Sequence, residues 1–119
     1  VTLDSSKGQV LFTAFQPAVG GGYDGQDSVV GALTPASGTG PYYTNNANPP
    51  VPDLSATSTS TNGIGLFANV NPGDVEVTLT HFTKTCTRLP TSWAGTKPNG
   101  SKIKIIAGYL TGGAAVSCP

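Results

Sequence analysis

The sequence contains no methionine, a single histidine and a single tryptophan, and only 10% of its 119 residues are charged. An average soluble domain carries about a quarter. Six basic and six acidic side chains cancel. Without a basic excess there is no field to gather nucleic acid or anionic lipid, and no run of like charge marks an acidic or basic tail. No apolar run approaches the roughly 20 residues of a membrane-spanning helix. The absence of methionine makes Val1 the expected product of removing a leader or upstream segment.

Catalytic sets are missing too. The one candidate base, His81, shares an alternation face with Val77 and Leu79 and reads as a hydrogen-bonded residue at the core edge. No G-x-S-x-G elbow occurs. Asp74 and Glu76, at i and i+2, read as the solvated face of a strand rather than a glycosidase pair. Asp24-Gly25-Gln26-Asp27 gathers oxygen ligands around a glycine but lacks the spacing and closing glutamate of a calcium loop. The expectation is a protein that is not an enzyme, with no catalytic residues, no metal and no cofactor.

Two cysteines are too few for a four-ligand zinc site, and they are not in C-x-x-C spacing. Cys86 and Cys118 are therefore expected to form a disulfide closing a loop of about 33 residues, worth about 3.5–4 kcal/mol in the chain-entropy account. A disulfide implies an oxidising compartment. Together with the scarcity of Lys and Glu, it predicts a secreted protein, extracellular or at the cell-envelope surface.

Gly, Pro, Ser, Thr and Asn make up half of the chain, while Leu, Ile, Val and Phe supply 22%. That is just above the roughly 20% below which disorder becomes the rule, so a modest core supported by turns and the disulfide is expected. No window keeps a 3.6-residue period, whereas period-2 segments are plentiful. Gly8–Phe15 places Val10, Phe12 and Ala14 on one face. Asp74–Cys86 is the clearest segment, with Val75, Val77 and Leu79 facing in. Lys102–Ala107 alternates Lys102 and Lys104 with Ile103 and Ile105. Ser28–Leu33, Leu54–Ser60, Ile64–Val70 and Leu110–Cys118 complete seven strands, and Ile64, Leu66, Ala68 and Val70 are expected to share one face. Asn62-Gly63 and Asn71-Pro72-Gly73 supply turns, Asn99-Gly100 reads as another turn, and Gly108 or Gly112-Gly113 is expected to turn a last hairpin. The remaining chain forms three loops: Gln16–Gln26, Thr34–Asp53 and Leu89–Asn99. The predicted fold is all-β, an antiparallel β-sandwich of about seven strands with long Pro/Gly-rich loops. It occupies residues 8–119 as one domain, preceded by an extension over residues 1–7. Tyr23, Tyr42, Tyr43 and Trp93 fall in the predicted loops, where aromatics stack on sugars or anchor protein contacts.

The segment Leu54–Thr80 (LSATSTSTNGIGLFANVNPGDVEVTLT) carries a Thr/Ser-rich stretch, an apolar-Phe strand, an Asn69-Val70-Asn71-Pro72-Gly73 turn and a strand of alternating Val. This resembles the carboxypeptidase regulatory-like, or transthyretin-like, β-sandwich domains. Val29–Gly40 is similar to their second strand and its following loop. Thr85-Cys86-Thr87, Trp93-Ala94-Gly95, Ile106-Ala107-Gly108-Tyr109 and Cys118 resemble a subgroup found in predicted bacterial envelope lipoproteins. The first hairpin departs from the family, being enlarged by residues 20–27. The resemblance implies a sandwich with an accessory rather than a catalytic role. In the family's pattern the strands flanking the turn bury Leu66, Ala68, Val75 and Val77.

Composition and resemblance together predict a non-catalytic extracellular or cell-surface β-sandwich protein. It is expected to be structural and self-assembling, as a filament or surface-layer subunit, with copies of itself or other surface proteins as partners. Residues 1–6 are available for strand addition to a neighbour. The alternative is an accessory module that binds carbohydrate or protein through its loop aromatics.

Overall fold

Short β-prone stretches punctuated by Gly and Pro fold into ten strands and no helix across residues 2–119, the part of the chain that the computed structural model describes. These are β1 (Gly8–Pro17), β2 (Tyr23–Gly25), β3 (Val29–Thr34), β4 (Thr39–Thr44), β5 (Pro52–Asp53), β6 (Ile64–Val70), β7 (Gly73–His81), β8 (Thr87–Arg88), β9 (Gly100–Ile105) and β10 (Leu110–Ser117). A seven-stranded sheet runs β5-β4-β6-β1-β10-β8, with β2 also paired to β1, and a three-stranded sheet runs β3-β7-β9. All pairings are antiparallel except β1 with β10, which are parallel. The fold is all-β and consistent with a sandwich.

The inner faces follow the period-2 pattern of the sequence. Val10, Phe12 and Ala14 of β1, Val75, Val77 and Leu79 of β7, and Ile103 and Ile105 of β9 are buried in one apolar core. Phe12 lies between the sheets. Gly31 on β3 and Gly65 on β6 face its ring, and a Cβ at either position would collide with it. The two glycines therefore set how close the sheets approach around that ring. Cys86 and Cys118 are bonded and buried in the same core, tying the β7–β8 connection to the end of β10.

Several expectations are corrected. Leu54–Ser60 is not a strand. Its Thr59 is buried and caps the start of β3 instead: the Thr59 hydroxyl accepts from Val29 N (3.0 Å) and donates to Gln26 O (2.7 Å). The loop Gln16–Gln26 is a hairpin, because Phe15–Pro17 pair with Tyr23–Gly25. The loop Thr34–Asp53 contains β4 and β5. The Asp74–Cys86 strand ends at His81, whose Nδ1 accepts from the backbone N–H groups of Thr83 and Lys84, both at 3.0 Å, and turns the chain away. β6 and β7, joined at Asn71-Pro72, lie in different sheets, as do β9 and β10, so no hairpin closes the chain. Gly108 turns that second crossover, while Gly112-Gly113 forms a bulge inside β10 between the Val10–Thr111 and Phe12–Ala114 pairs.

The face of β6 is corrected as well. Gly8 pairs with Val70 but Val10 pairs with Phe67, so β6 carries one extra residue there, with Asn69 at φ 55°. A bulge reverses the alternation on either side of it. Phe67 and Gly65 therefore face the core together with Ala68 and Val70, and Ile64 and Leu66 are turned to the outside, half-buried. Asn69 has a second task. Its side chain accepts from Asp4 N and donates to Thr2 O, each at 2.8 Å, and Lys7 Nζ donates to Asn71 Oδ1. Residues 2–7 of the extension are thus tied to the β6–β7 corner of their own chain. Val1 lies outside the described residues.

Candidate functional site

The four aromatics expected in loops take four different positions. Tyr43 is on β4 and 2% exposed. Its hydroxyl accepts from Gly31 N at 3.2 Å, joining the large sheet to the outer edge of β3. Its ring meets Phe12 edge-on at 6.2 Å. Burial pushes its phenol pKa up, only partly offset by the Gly31 hydrogen bond. Tyr43 is therefore a core residue rather than a loop residue, and it has almost no surface to offer a partner. Its neighbour Tyr42 points the other way, half-buried on the outer face of the large sheet. Tyr23 lies on β2, half-exposed, with its ring 5.9 Å from that of Phe15. Trp93 alone occupies a loop, in the β8–β9 connection.

Tyr42 belongs to an apolar ladder. It is paired across strands with Leu66, which is paired with Leu11. Leu110, opposite Gln9 on β10, and Ile64, opposite Thr13, extend the same outer face. Leu54, 77% exposed, and Pro52 close it into a groove of about 520 Å³. Among the described residues no charged side chain lines this groove. Leu110, 60% exposed, also borders a second hollow, where Leu3 and Tyr109 meet Asp4, Ser5, Lys7 and Gln9, so the uncharged strip ends there. Sequence reasoning missed this face because the β6 bulge hides the outward turn of Leu66 and because Pro41 with its flanking Gly and Asn hides β4. Read with unbroken alternation, Leu66 goes to the core, and Tyr42 goes to a loop.

Trp93 borders a different hollow, of about 610 Å³, on the outer face of the small sheet. Its floor consists of two cross-strand pairs of opposite charge, Asp74 with Lys104 and Glu76 with Lys102, and Thr34 and Thr96 add hydroxyls. Glu76 is committed. Its carboxylate accepts from the Thr96 hydroxyl (2.7 Å), from Thr96 N (3.0 Å) and from Lys97 N (3.3 Å). Those hydrogen bonds, the Thr96 hydroxyl first, hold its pKa below the usual glutamate value. Glu76 thus pins the loop that carries Trp93.

His81 bonds to the following turn through Nδ1, and Gln26 Nε2 lies 3.3 Å from its other ring nitrogen. Asp24 and Gly25 form part of the β1–β2 hairpin. Among the described residues no three His, Cys, Asp or Glu side chains gather as metal ligands, and no helix is long and apolar enough to cross a membrane. The disulfide is compatible with an extracellular protein. Compared with known proteins, the chain matches no family model, no curated protein and no solved structure.

Proposed function

We propose that the chain is a non-catalytic, secreted or cell-surface β-sandwich module that associates with copies of itself through the outer face of its large sheet. One observation carries this reading: the uncharged ladder Tyr42–Leu66–Leu11, flanked by Ile64, Leu54 and Leu110. An exposed sheet face that alternates correctly is usually polar, and contiguous apolar patches on soluble domains mark interaction surfaces. A second copy is the occupant that fits best. The face presents no charge that a partner must neutralise, and the molecule has no net charge to repel its own kind at distance. Two such faces related by a two-fold axis are self-complementary. Thr2, Asp4 and Lys7 of the extension are bonded to the β6–β7 corner of their own chain, so face-to-face contact is favoured over strand addition by that segment. The resemblance of Leu54–Thr80 to carboxypeptidase regulatory-like domains, which implies an accessory rather than a catalytic role, agrees with the non-catalytic part of this reading.

Sedimentation velocity over a wide concentration range tests the reading. The native chain is expected to shift from monomer to a larger species as concentration rises. Leu66→Asp and Leu110→Asp, which place charge on the face, are expected to hold it monomeric. Leu110 is well exposed, so its variant keeps the fold. A native chain that stays monomeric throughout, or a Leu110→Asp variant that associates as the native chain does, overturns the proposal.

A further inference from the structure

We propose that the hollow beside Trp93 is a saccharide-binding site, independent of the apolar face. The indole is held on one side and free on the other. Trp93 N donates to Gly113 O at 3.1 Å, anchoring the loop to β10. A Cβ built on Gly113 would lie 3.6–3.7 Å from three separate atoms of the indole, so the ring lies flat over this glycine. Gly113 has φ 112°, a conformation that side-chain-bearing residues rarely adopt, so the bulge in β10 keeps a bare surface there for the ring to rest on. Trp93 is nonetheless 51% exposed. A large, fixed, outward-turned aromatic surface is the kind on which the C–H face of a pyranose stacks.

The surroundings supply the polar half of such a site. Glu76 is occupied in fixing Thr96 and Lys97. That leaves Asp74 as an acceptor, Lys102 and Lys104 as donors and the Thr34 hydroxyl as either, all lining the same hollow as the indole. The charges along the floor balance, two acids against two bases, which disfavours a strongly ionic ligand and suits a neutral one rich in hydroxyls. A volume of about 610 Å³ accommodates a ligand of a few sugar rings. The hollow is open and shallow, appropriate to a chain end or a run of residues along a polysaccharide.

Trp93 is the sole tryptophan, so its emission reports the site directly. The native protein is titrated with cellohexaose, chitohexaose, maltohexaose, xylohexaose and mannohexaose up to about 10 mM, a range that captures weak binding. The expected result is a saturable change in emission with at least one of them, matched by calorimetric heat. In calorimetry Trp93→Ala is expected to abolish binding and Trp93→Phe to weaken it. Asp74→Asn or Lys104→Ala is expected to weaken it about tenfold, as loss of one good polar contact does. Tyr23→Ala, away from the hollow, is expected to bind as the native chain does. No response to any of the five sugars, full binding by Trp93→Ala, or loss of binding in Tyr23→Ala overturns the assignment.

Discussion

Removing a single oxygen from Tyr43 tests whether this residue holds the sandwich together rather than meeting a partner. In Tyr43→Phe the ring keeps its edge-on packing against Phe12, and no cavity opens. What disappears is the acceptor for Gly31 N, on the edge of β3 that faces away from β7. An N–H left without a partner in a buried setting costs about 1–3 kcal/mol, a sizeable share of the roughly 5–15 kcal/mol that stabilises a typical domain. With a urea m-value of about 1.5 kcal/mol/M, a 1.5 kcal/mol loss lowers the unfolding midpoint by about 1 M. Tyr42→Phe, altered on the half-exposed outer face, is expected to stay within about 0.5 kcal/mol of the native chain.

The same residue leaves a signature in pH. Its phenol ionises near 10.0 when unfolded, and burial raises that value in the folded state. Above the unfolded value the unfolded chain binds fewer protons than the native one, so native stability falls as pH rises. The contribution is fully present below pH 10 and is lost as pH climbs towards the folded value. Urea midpoints measured from pH 8 to 11 are therefore expected to decline less steeply for Tyr43→Phe than for the native chain. An unchanged midpoint at neutral pH, together with the same alkaline slope, would refute the role given to the hydroxyl.

Replacing both cysteines, as Cys86→Ser with Cys118→Ser, is expected to cost about 3.5–4 kcal/mol by loop entropy alone; thermal unfolding followed by circular dichroism reads it as a large drop in Tm. A smaller drop than that of Tyr43→Phe would contradict the reasoning. Glu76 is also expected to control the Trp93 loop through pH. Its carboxylate is held below its ordinary 4.5, so the restraint is fully present above that value and is lost as pH falls through the lowered one. Trp93 emission is expected to shift on acidification below pH 4.5, whereas Glu76→Gln is expected to show the acid-like emission already at pH 7.

The parts legible in the sequence are those where alternation runs unbroken. In β1, β7 and β9 the expected inward residues, Val10, Phe12 and Ala14, Val75, Val77 and Leu79, and Ile103 and Ile105, are the buried ones, because none of these strands carries an inserted residue. The disulfide was legible from cysteine arithmetic. β4 was hidden by Pro41 and by flanking Gly and Asn, which mark loops unless the strand lies near a sheet edge, where a missing N–H is tolerated. β4 is followed there only by the two-residue β5. The outer apolar face was hidden by the bulge at Asn69. The Asn there, able to adopt positive φ where most residues cannot, was the available clue. The role of Thr59 was illegible for another reason: a Thr/Ser run looks the same whether it pairs as a strand or lends one hydroxyl to a strand edge. The setting of Trp93 depended on Gly113, twenty residues away, and only the folded crossover between β9 and β10 brings the two together.

The parallel pairing of β1 with β10 dictates when this chain can finish folding. Gln9 meets Leu110, so the central strand of the larger sheet waits for a neighbour made about a hundred residues later. A chain delivered amino end first, by ribosome or by export channel, presents β1 and then β6 while one side of β1 is still bare. Contacts of such sequence separation slow all-β folding to milliseconds or seconds, and an uncovered strand in the meantime invites pairing with other chains. That edge stays open to wrong partners until β10 has paired with it. Cys118 directly follows β10, so the bond to Cys86 requires the whole of that last strand to have arrived and then fixes its end.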